Sequence, residues 1–129
     1  MSLVADTNVF IAVALNEPEK DSIVQNTQGY DLIAPNVLPF EVGNALTAMM
    51  KKGTLHGEEI LHSWKIIEQI PVELRSVNMK SALEIAMRFQ LHAYDAFFLE
   101  CAYSLRLPLI TLDRGMRRIA QKMGISIVE

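Results

Sequence analysis

A chain of 129 residues has the size of one domain, and half of its residues are apolar, which is enough for a large core. The formal net charge of −3 argues against a broad basic nucleic-acid surface, and the single cysteine, Cys101, excludes an intrachain disulfide. No run reaches the ~18 apolar residues of a membrane span, and the apolar N-terminal stretch contains Asp6 and lacks a basic start. We therefore expect one soluble, cytoplasmic domain over residues 1–129, with Cys101 as a small buried apolar residue.

Short apolar runs alternate with segments of helical period along the whole chain. In chain order the first half of the pattern predicts a strand over 3–5, helices over 9–15 and 19–28, a strand over 32–34, and helices over 36–52 and 57–69. The second half predicts a strand over 72–77, a helix after Asn78, a helix over 94–104, a strand over 107–112, a helix over 114–123 and a strand over 125–128. Asn36 and Asn78 are predicted N-caps, and Gly53 and Gly124 are predicted helix ends.

Strands separated by helices indicate βαβ units, and such units build a parallel sheet with helices on both faces. The fold class predicted from the sequence is therefore α/β, a three-layer α/β/α sandwich around a five-stranded parallel sheet. No repeat, low-complexity segment or linker divides the chain.

Four acidic residues occupy positions that such a sheet would bring to one edge. Asp6 and Asp113 follow apolar runs, and Glu41 and Asp95 lie in predicted helices beside apolar side chains. Each acid alone also fits a plain role, because Asp6, Asp95 and Asp113 suit helix N-caps and Glu41 suits a helix surface. Together they indicate a shared crevice at the carboxyl ends of the strands.

Four converging carboxylates repel one another, and of the four only Asp113 has a basic neighbour, Arg114. Acids close to a core are expected to be paired or bound to metal, and oxygen ligands suit Mg²⁺ or Mn²⁺. The three histidines do not have the spacing of a zinc site, and only His92, three residues before Asp95, is a candidate for a role. The pattern favours a metal-dependent phosphodiesterase, with a ribonuclease as the preferred interpretation.

Basic residues form two clusters, which are either solvated helix faces or surfaces that steer a phosphate backbone. One cluster is Lys51 and Lys52, and the other contains Arg114 and Arg117 beside Asp113. We predict that Arg114 and Arg117 contact RNA.

Several other enzyme classes lack their motifs here. The chain has no G-x-S-x-G elbow, no Walker A loop and no G-x-G-x-x-G segment. A receiver-type phosphoacceptor domain needs an acid pair after the first strand, whereas Asp6 stands alone. A haloacid-dehalogenase-type phosphatase needs a second aspartate where Asn8 stands.

Four segments, in order, resemble the PIN domain family, and the chain is similar in particular to the VapC-type toxins of prokaryotic toxin–antitoxin pairs. These segments are residues 6–8 (Asp-Thr-Asn), 39–46 around Glu41, 94–96 (Tyr-Asp-Ala) and 111–113 (Thr-Leu-Asp). The resemblance implies a three-layer α/β/α domain and an Mg²⁺- or Mn²⁺-dependent endoribonuclease. It implies an RNA substrate, an antitoxin partner whose segment covers the acidic pocket, and a homodimer.

Residue by residue, the resemblance assigns the metal site and catalysis to Asp6, Glu41, Asp95 and Asp113. It assigns supporting or positioning roles to Thr7, Asn8, Asn44 and Thr111. The chain departs from many family members after Asp113, where residues 114–116 contain no further acid. The alternative interpretation is a PIN-like module that binds RNA or protein without turnover.

Overall fold

The computed structural model describes residues 1–129 as seven helices around a four-stranded parallel sheet. The strands are β1 (Ser2–Ala5), β2 (Asp31–Pro35), β3 (Glu73–Arg75) and β4 (Leu109–Ile110). The helices are α1 (Thr7–Ala14), α2 (Lys20–Thr27), α3 (Leu38–Lys51), α4 (Gly57–Glu68), α5 (Met79–Phe89), α6 (Ala93–Leu105) and α7 (Arg114–Lys122). None of these helices has both the length and the apolar character needed to cross a membrane.

The strand order is β3-β2-β1-β4, with every neighbouring pair parallel. From β1 the chain adds β2 and then β3 on one side, and it then crosses to the other side of β1 to form β4. The direction of the strand order therefore reverses between β1 and β4. In open parallel sheets such a reversal opens a crevice at the carboxyl ends of the two strands.

The prediction of a five-stranded sheet is wrong, because the sheet has four strands. The chain at 125–128 meets β4 at one parallel pair only, Leu109 with Ile127. Leu109 N donates to Ser126 O at 2.9 Å, and Val128 N donates to Leu109 O at 3.0 Å. Because β4 is only two residues long, it offers too little edge for a fifth strand to extend along it.

The core covers the sheet on both faces. Leu3, Val4 and Ala5 of β1 are consecutive and fully buried, so helices must pack against both sides of this central strand. Helix α6 is buried along residues 96–102 and lies against β1 and β2, with α5 packed on it. Helices α1 to α4 pack on one another as a second group. The predicted two-sided packing of a parallel sheet is confirmed.

The two predicted asparagine caps have different outcomes. Asn78 is the N-cap of α5, and its Oδ1 accepts a hydrogen bond from Ser81 N at 3.1 Å. The prediction for Asn36 is wrong, because α3 begins one residue later with Val37 as its N-cap and no side-chain cap. Asn36 N instead donates to Arg75 O at 2.7 Å, which ties this residue to β3.

Candidate functional site

All four predicted acids line one cleft of about 250 Å³. Asp6 follows β1, Glu41 lies in the first turn of α3, Asp95 lies in the first turn of α6, and Asp113 is the N-cap of α7. The cleft thus lies at the carboxyl edge of the sheet, where β1 and β4 end side by side. A larger cleft of about 660 Å³, around Tyr30 and the C-terminal segment, contains no acidic side chain.

Asp6 is the most buried of the four acids, with 6 % of its surface exposed. Its Oδ1 accepts a hydrogen bond from Thr7 N at 2.8 Å, so it also serves as the N-cap of α1. Its Oδ2 accepts a hydrogen bond from Thr111 Oγ1 at 2.7 Å. The capping role and the site role therefore coexist in one side chain, and both oxygens are fixed in direction.

Thr111 is the centre of a short hydrogen-bond network that joins the ends of β1 and β4. Besides donating to Asp6, its Oγ1 accepts from Asp113 N at 3.1 Å. Asn8 Oδ1 accepts from Leu112 N at 3.1 Å, and Asn8 Nδ2 lies 3.4 Å from Thr111 Oγ1. The network holds the backbone that carries Asp113 against the start of α1.

Burial and mutual repulsion raise the pKa values of three of the acids. Burial raises the pKa of Asp6 to about 6, against the hydrogen bonds from Thr111 and Thr7, and the charges of Asp95 and Asp113 add to the rise. Burial also raises the pKa of Glu41, with a further contribution from Asp95. The pKa of Asp95 rises mainly through burial and then through Asp113. The cleft thus holds negative charge at a cost in free energy.

No ion pair in the structure neutralises this charge. The ion pairs join Arg75 to Glu73 and Arg117 to Glu129, and neither pair includes an acid of the cleft. The exposed His92, at the N-cap of α6, lowers the pKa of Asp95 without forming an ion pair with it. Partly buried carboxylates without an ion pair are expected to bind a positive charge from outside the protein.

The donor set fits a hard divalent cation. It consists of carboxylate oxygens. Thr7, a residue of the cleft wall, has a buried Oγ1 without a hydrogen-bond partner in the protein. No three His, Cys, Asp or Glu side chains are grouped closely enough to enclose a metal ion by themselves. Mg²⁺ does not require such a closed group, because it is usually held by one or two carboxylates and keeps several of its waters.

The remaining predicted residues lie at varied distances from the cleft. Thr7 and Asn8 line the cleft. Thr111 does not line it but donates a hydrogen bond to Asp6, which does. Asn44 and Arg114 are exposed and are not part of its wall. Arg117 lines a different cleft, formed with α2 and the C-terminal end of the chain, and it donates to Thr111 O.

Glu17 is a residue of the cleft that the sequence analysis did not identify. It follows α1, where Asn16 adopts a left-handed φ of 54° and Glu17 N donates to Ala12 O at 2.9 Å. This turn returns the chain toward the cleft, beside the apolar residues Ile11 and Ala45. In the sequence Glu17 precedes Pro18 and signals only the end of a helix, so nothing in the pattern marked its position in the site.

Two buried groups lie outside the cleft. Burial raises the pKa of the Cys101 thiol to about 11, with a further contribution from Glu100, which fits the predicted role as a buried apolar residue rather than a nucleophile. Burial likewise raises the pKa of Glu100, which lines a separate cleft with Arg88 and Lys122. Neither group contacts the four acids.

Relatives of known fold and sequence share this architecture. Ribonuclease VapC3 from Pyrobaculum aerophilum is 24 % identical over 121 residues, which cover 90 % of this chain and 92 % of the relative. The crystal structure of PAE2754 from the same organism superposes with a TM-score of 0.71 at 21 % identity, over 98 % of this chain and 83 % of the other.

Two further solved structures have the same fold at lower identity. VapBC2 from Rickettsia felis, solved bound to a DNA fragment from the promoter, matches with a TM-score of 0.69 at 15 % identity and full coverage of both chains. FitAcB from Neisseria gonorrhoeae matches with a TM-score of 0.63 at 14 % identity, over 98 % of this chain and 96 % of the other. The PIN domain family model matches residues 3–122, nearly the whole chain, and the chain therefore belongs to the PIN domain family.

Proposed function

We propose that this chain is a metal-dependent endoribonuclease and the toxin of a VapBC-type toxin–antitoxin pair. One observation carries the proposal: four acids from four separate segments line a single cleft at the reversal point of the sheet, and none of them is paired with a cation. The family membership and the resemblance to Ribonuclease VapC3 support it.

In this proposal Asp6 and Asp95 hold Mg²⁺ or Mn²⁺, and Glu41 and Asp113 complete its surroundings. An ion held there would supply a coordinated water of lowered pKa as the nucleophile and a positive charge beside the phosphoryl oxygens. The Thr111 hydroxyl keeps the Asp6 carboxylate in one orientation. The Thr7 hydroxyl is buried and has no hydrogen-bond partner in the protein, and its supporting role stays a prediction.

The substrate proposed is RNA, and the family membership and the likeness to Ribonuclease VapC3 support it. The exposed Arg114, next to Asp113, is placed to attract the phosphate backbone. The position of Arg117 in a separate cleft argues against the predicted RNA contact. The supporting role of Asn44 and the cytoplasmic location of the protein stay predictions.

Two protein partners belong to the proposal. An antitoxin is supported by the likeness in fold to VapBC2 of Rickettsia felis. A homodimer is supported by an exposed apolar stripe on α5, formed by Met79, Leu83 and Met87 at intervals of four residues. Sedimentation of the wild type and of Met87→Glu tests the dimer, and an unchanged monomer mass for both would remove it.

The decisive experiment is cleavage of a mixed single-stranded RNA pool by the purified protein in Mg²⁺, in Mn²⁺ and in EDTA. Asp6→Asn and Asp95→Asn remove one site charge each, and Asp21→Asn removes the same charge from the exposed face of α2. We expect metal-dependent cleavage by the wild type and by Asp21→Asn, and a loss of at least about 100-fold in the two site variants.

Full activity in Asp6→Asn, or cleavage that continues in EDTA, would refute the proposed chemistry. If the wild type neither cleaves RNA nor binds Mn²⁺ by calorimetry, the alternative of a non-catalytic binding module replaces the nuclease.

A further inference from the structure

Arg117 makes a contact that its place in a basic cluster does not suggest. Its Nη2 donates to Thr111 O at 3.0 Å, and its Nη1 lies 3.9 Å from Glu129 Oε1. Its Nε is buried and has no partner. Its own backbone N donates to Asp113 O at 3.0 Å, within the first turn of α7. The guanidinium is thus turned toward the protein interior, away from the wall of the acid cleft.

The carbonyl that Arg117 binds belongs to the residue that orients Asp6. Strand β4 ends at Ile110, so the sheet does not hold Thr111, and no backbone N–H donates to Thr111 O. The hydroxyl of Thr111 extends from the same residue and donates to Asp6 Oδ2 at 2.7 Å. The hydrogen bond from Arg117 to Thr111 O therefore limits the rotation of the peptide that follows Thr111. It thereby also limits the direction in which the Thr111 hydroxyl points.

We propose that Arg117 is a positioning residue of the candidate site, which acts through Thr111 on the Asp6 carboxylate instead of contacting RNA. The expected effect of Arg117 on activity rests on the proposed metal-dependent function. The hydrogen bond from Arg117 to Thr111 O does not depend on that function. Arginine suits this task because its rigid planar head keeps its donors in fixed directions.

Two other roles for Arg117 make different predictions. If Arg117 binds a phosphate, its loss raises KM for RNA and reduces the salt slope of RNA binding by about 1. If it only joins α7 to β4, its loss lowers the melting temperature but leaves the metal affinity of the folded protein unchanged. A positioning residue instead weakens metal binding and lowers kcat, with little effect on KM or on the salt slope.

The test compares Arg117→Met, Arg117→Lys and Arg118→Met in the full chain. Met removes the donors and keeps most of the side-chain length, and Lys keeps one donor that can reach Thr111 O. Arg118 is exposed on the same helix, and its side chain forms neither a hydrogen bond nor an ion pair. Arg118→Met is therefore the matched loss of one charge. We expect Arg117→Met to bind Mn²⁺ about tenfold more weakly by calorimetry, Arg117→Lys to recover most of that loss, and Arg118→Met to match the wild type.

Hydrogen exchange gives a readout that depends on neither metal nor RNA. The backbone N–H groups of Leu112 and Asp113 are held by Asn8 Oδ1 and Thr111 Oγ1, so they should exchange faster in Arg117→Met while Ile33 in β2 exchanges as before. Unchanged exchange at both residues, or a changed salt slope with unchanged Mn²⁺ affinity, would overturn the inference. If the wild type fails to bind Mn²⁺, the proposed function fails, and the exchange data alone then decide whether Arg117 positions Thr111.

Discussion

Asp6 shows at the scale of one residue how a functional site can oppose stability. Asp6 is 6 % exposed, and its carboxylate faces two other acids and has only hydrogen bonds to compensate for its lost hydration. A folded-state pKa of about 6 lies above the ordinary value of 3.8, so the folded protein binds this proton more tightly than the unfolded chain does. The stability that the protonated form gives is complete below pH 3.8 and is lost as the pH rises through about 6.

Asp6→Asn is therefore expected to stabilise the protein in EDTA at neutral pH. The gain in free energy of unfolding should approach about 2–3 kcal/mol above the pKa of Asp6 and vanish below about pH 4, where the wild-type carboxyl is protonated. Urea unfolding of both proteins between pH 4 and pH 8 measures it. An Asn variant that is equally destabilised at every pH would contradict the raised pKa of Asp6.

Thr111 is the second residue whose replacement should have a large effect, because its hydroxyl is 1 % exposed and serves both Asp6 and Asp113 N. Thr111→Val keeps the shape but leaves a carboxylate oxygen and an N–H group without their partner. We expect a loss of about 1–3 kcal/mol in the free energy of unfolding. Thr47→Val, which removes an exposed hydroxyl bonded only within α3, should cost less than about 0.5 kcal/mol by the same urea measurement.

At the scale of elements, the beginnings of helices show where local sequence signals succeed and fail. Asn78 has the extended backbone and the free N–H group of Ser81 that a side-chain cap requires. Asn36 lies instead in the turn that joins β2 to α3, where its N–H is bonded to Arg75 of the neighbouring strand. The same residue type thus has different roles because a tertiary contact takes precedence at one position.

This difference predicts unequal effects of two identical substitutions. Asn78→Ala removes the cap of α5 and should lower the free energy of unfolding by about 1 kcal/mol. Asn36→Ala leaves the backbone bond to Arg75 in place and should change it by less than about 0.5 kcal/mol. Thermal unfolding of both variants at one pH is the measurement. Equal losses in the two variants would show that the side chain of Asn36 also caps a helix.

At the scale of the whole molecule, the reversal of strand order brings together residues that are more than 100 positions apart. Asp6 and Asp113 meet because β1 and β4 are neighbours, and Asp6 N donates to Ile110 O at 3.0 Å. Glu41 and Asp95 reach the same edge from helices that follow β2 and β3. Repulsion in this cleft is a cost to the entire fold, and a bound divalent ion is expected to relieve it.

Divalent metal should accordingly raise the stability of the whole protein. At a free Mn²⁺ concentration of 100 times Kd, linkage gives about 2.7 kcal/mol for one site. The double variant Asp6→Asn with Asp95→Asn should show no such increase, whereas Asp21→Asn should respond like the wild type. Melting temperatures across a Mn²⁺ titration provide the test, and equal shifts in all three proteins would place the metal elsewhere.

Most helices and strands, and the four acids of the cleft, could be predicted from the amino-acid pattern. Alternating apolar and helical-period segments predict a parallel α/β fold because strands and helices differ in the spacing of buried residues. Asp6, Glu41, Asp95 and Asp113 could be identified because acids beside apolar runs conflict with the pattern of a core. The end of the sheet could not be determined, because pairing at Ile127 depends on the length of β4 and not on the apolar run at 125–128.

The full set of side chains that share the cleft could not be predicted from the amino-acid pattern. Glu17 enters it because a left-handed turn at Asn16 redirects the chain, and Arg117 is drawn to Thr111 O instead of the cleft wall. Both outcomes depend on distances between segments that are far apart in sequence, which local periodicity does not contain. Arg117 belongs to a basic cluster that suggests a surface role, but its side chain donates to the carbonyl of Thr111, just after β4.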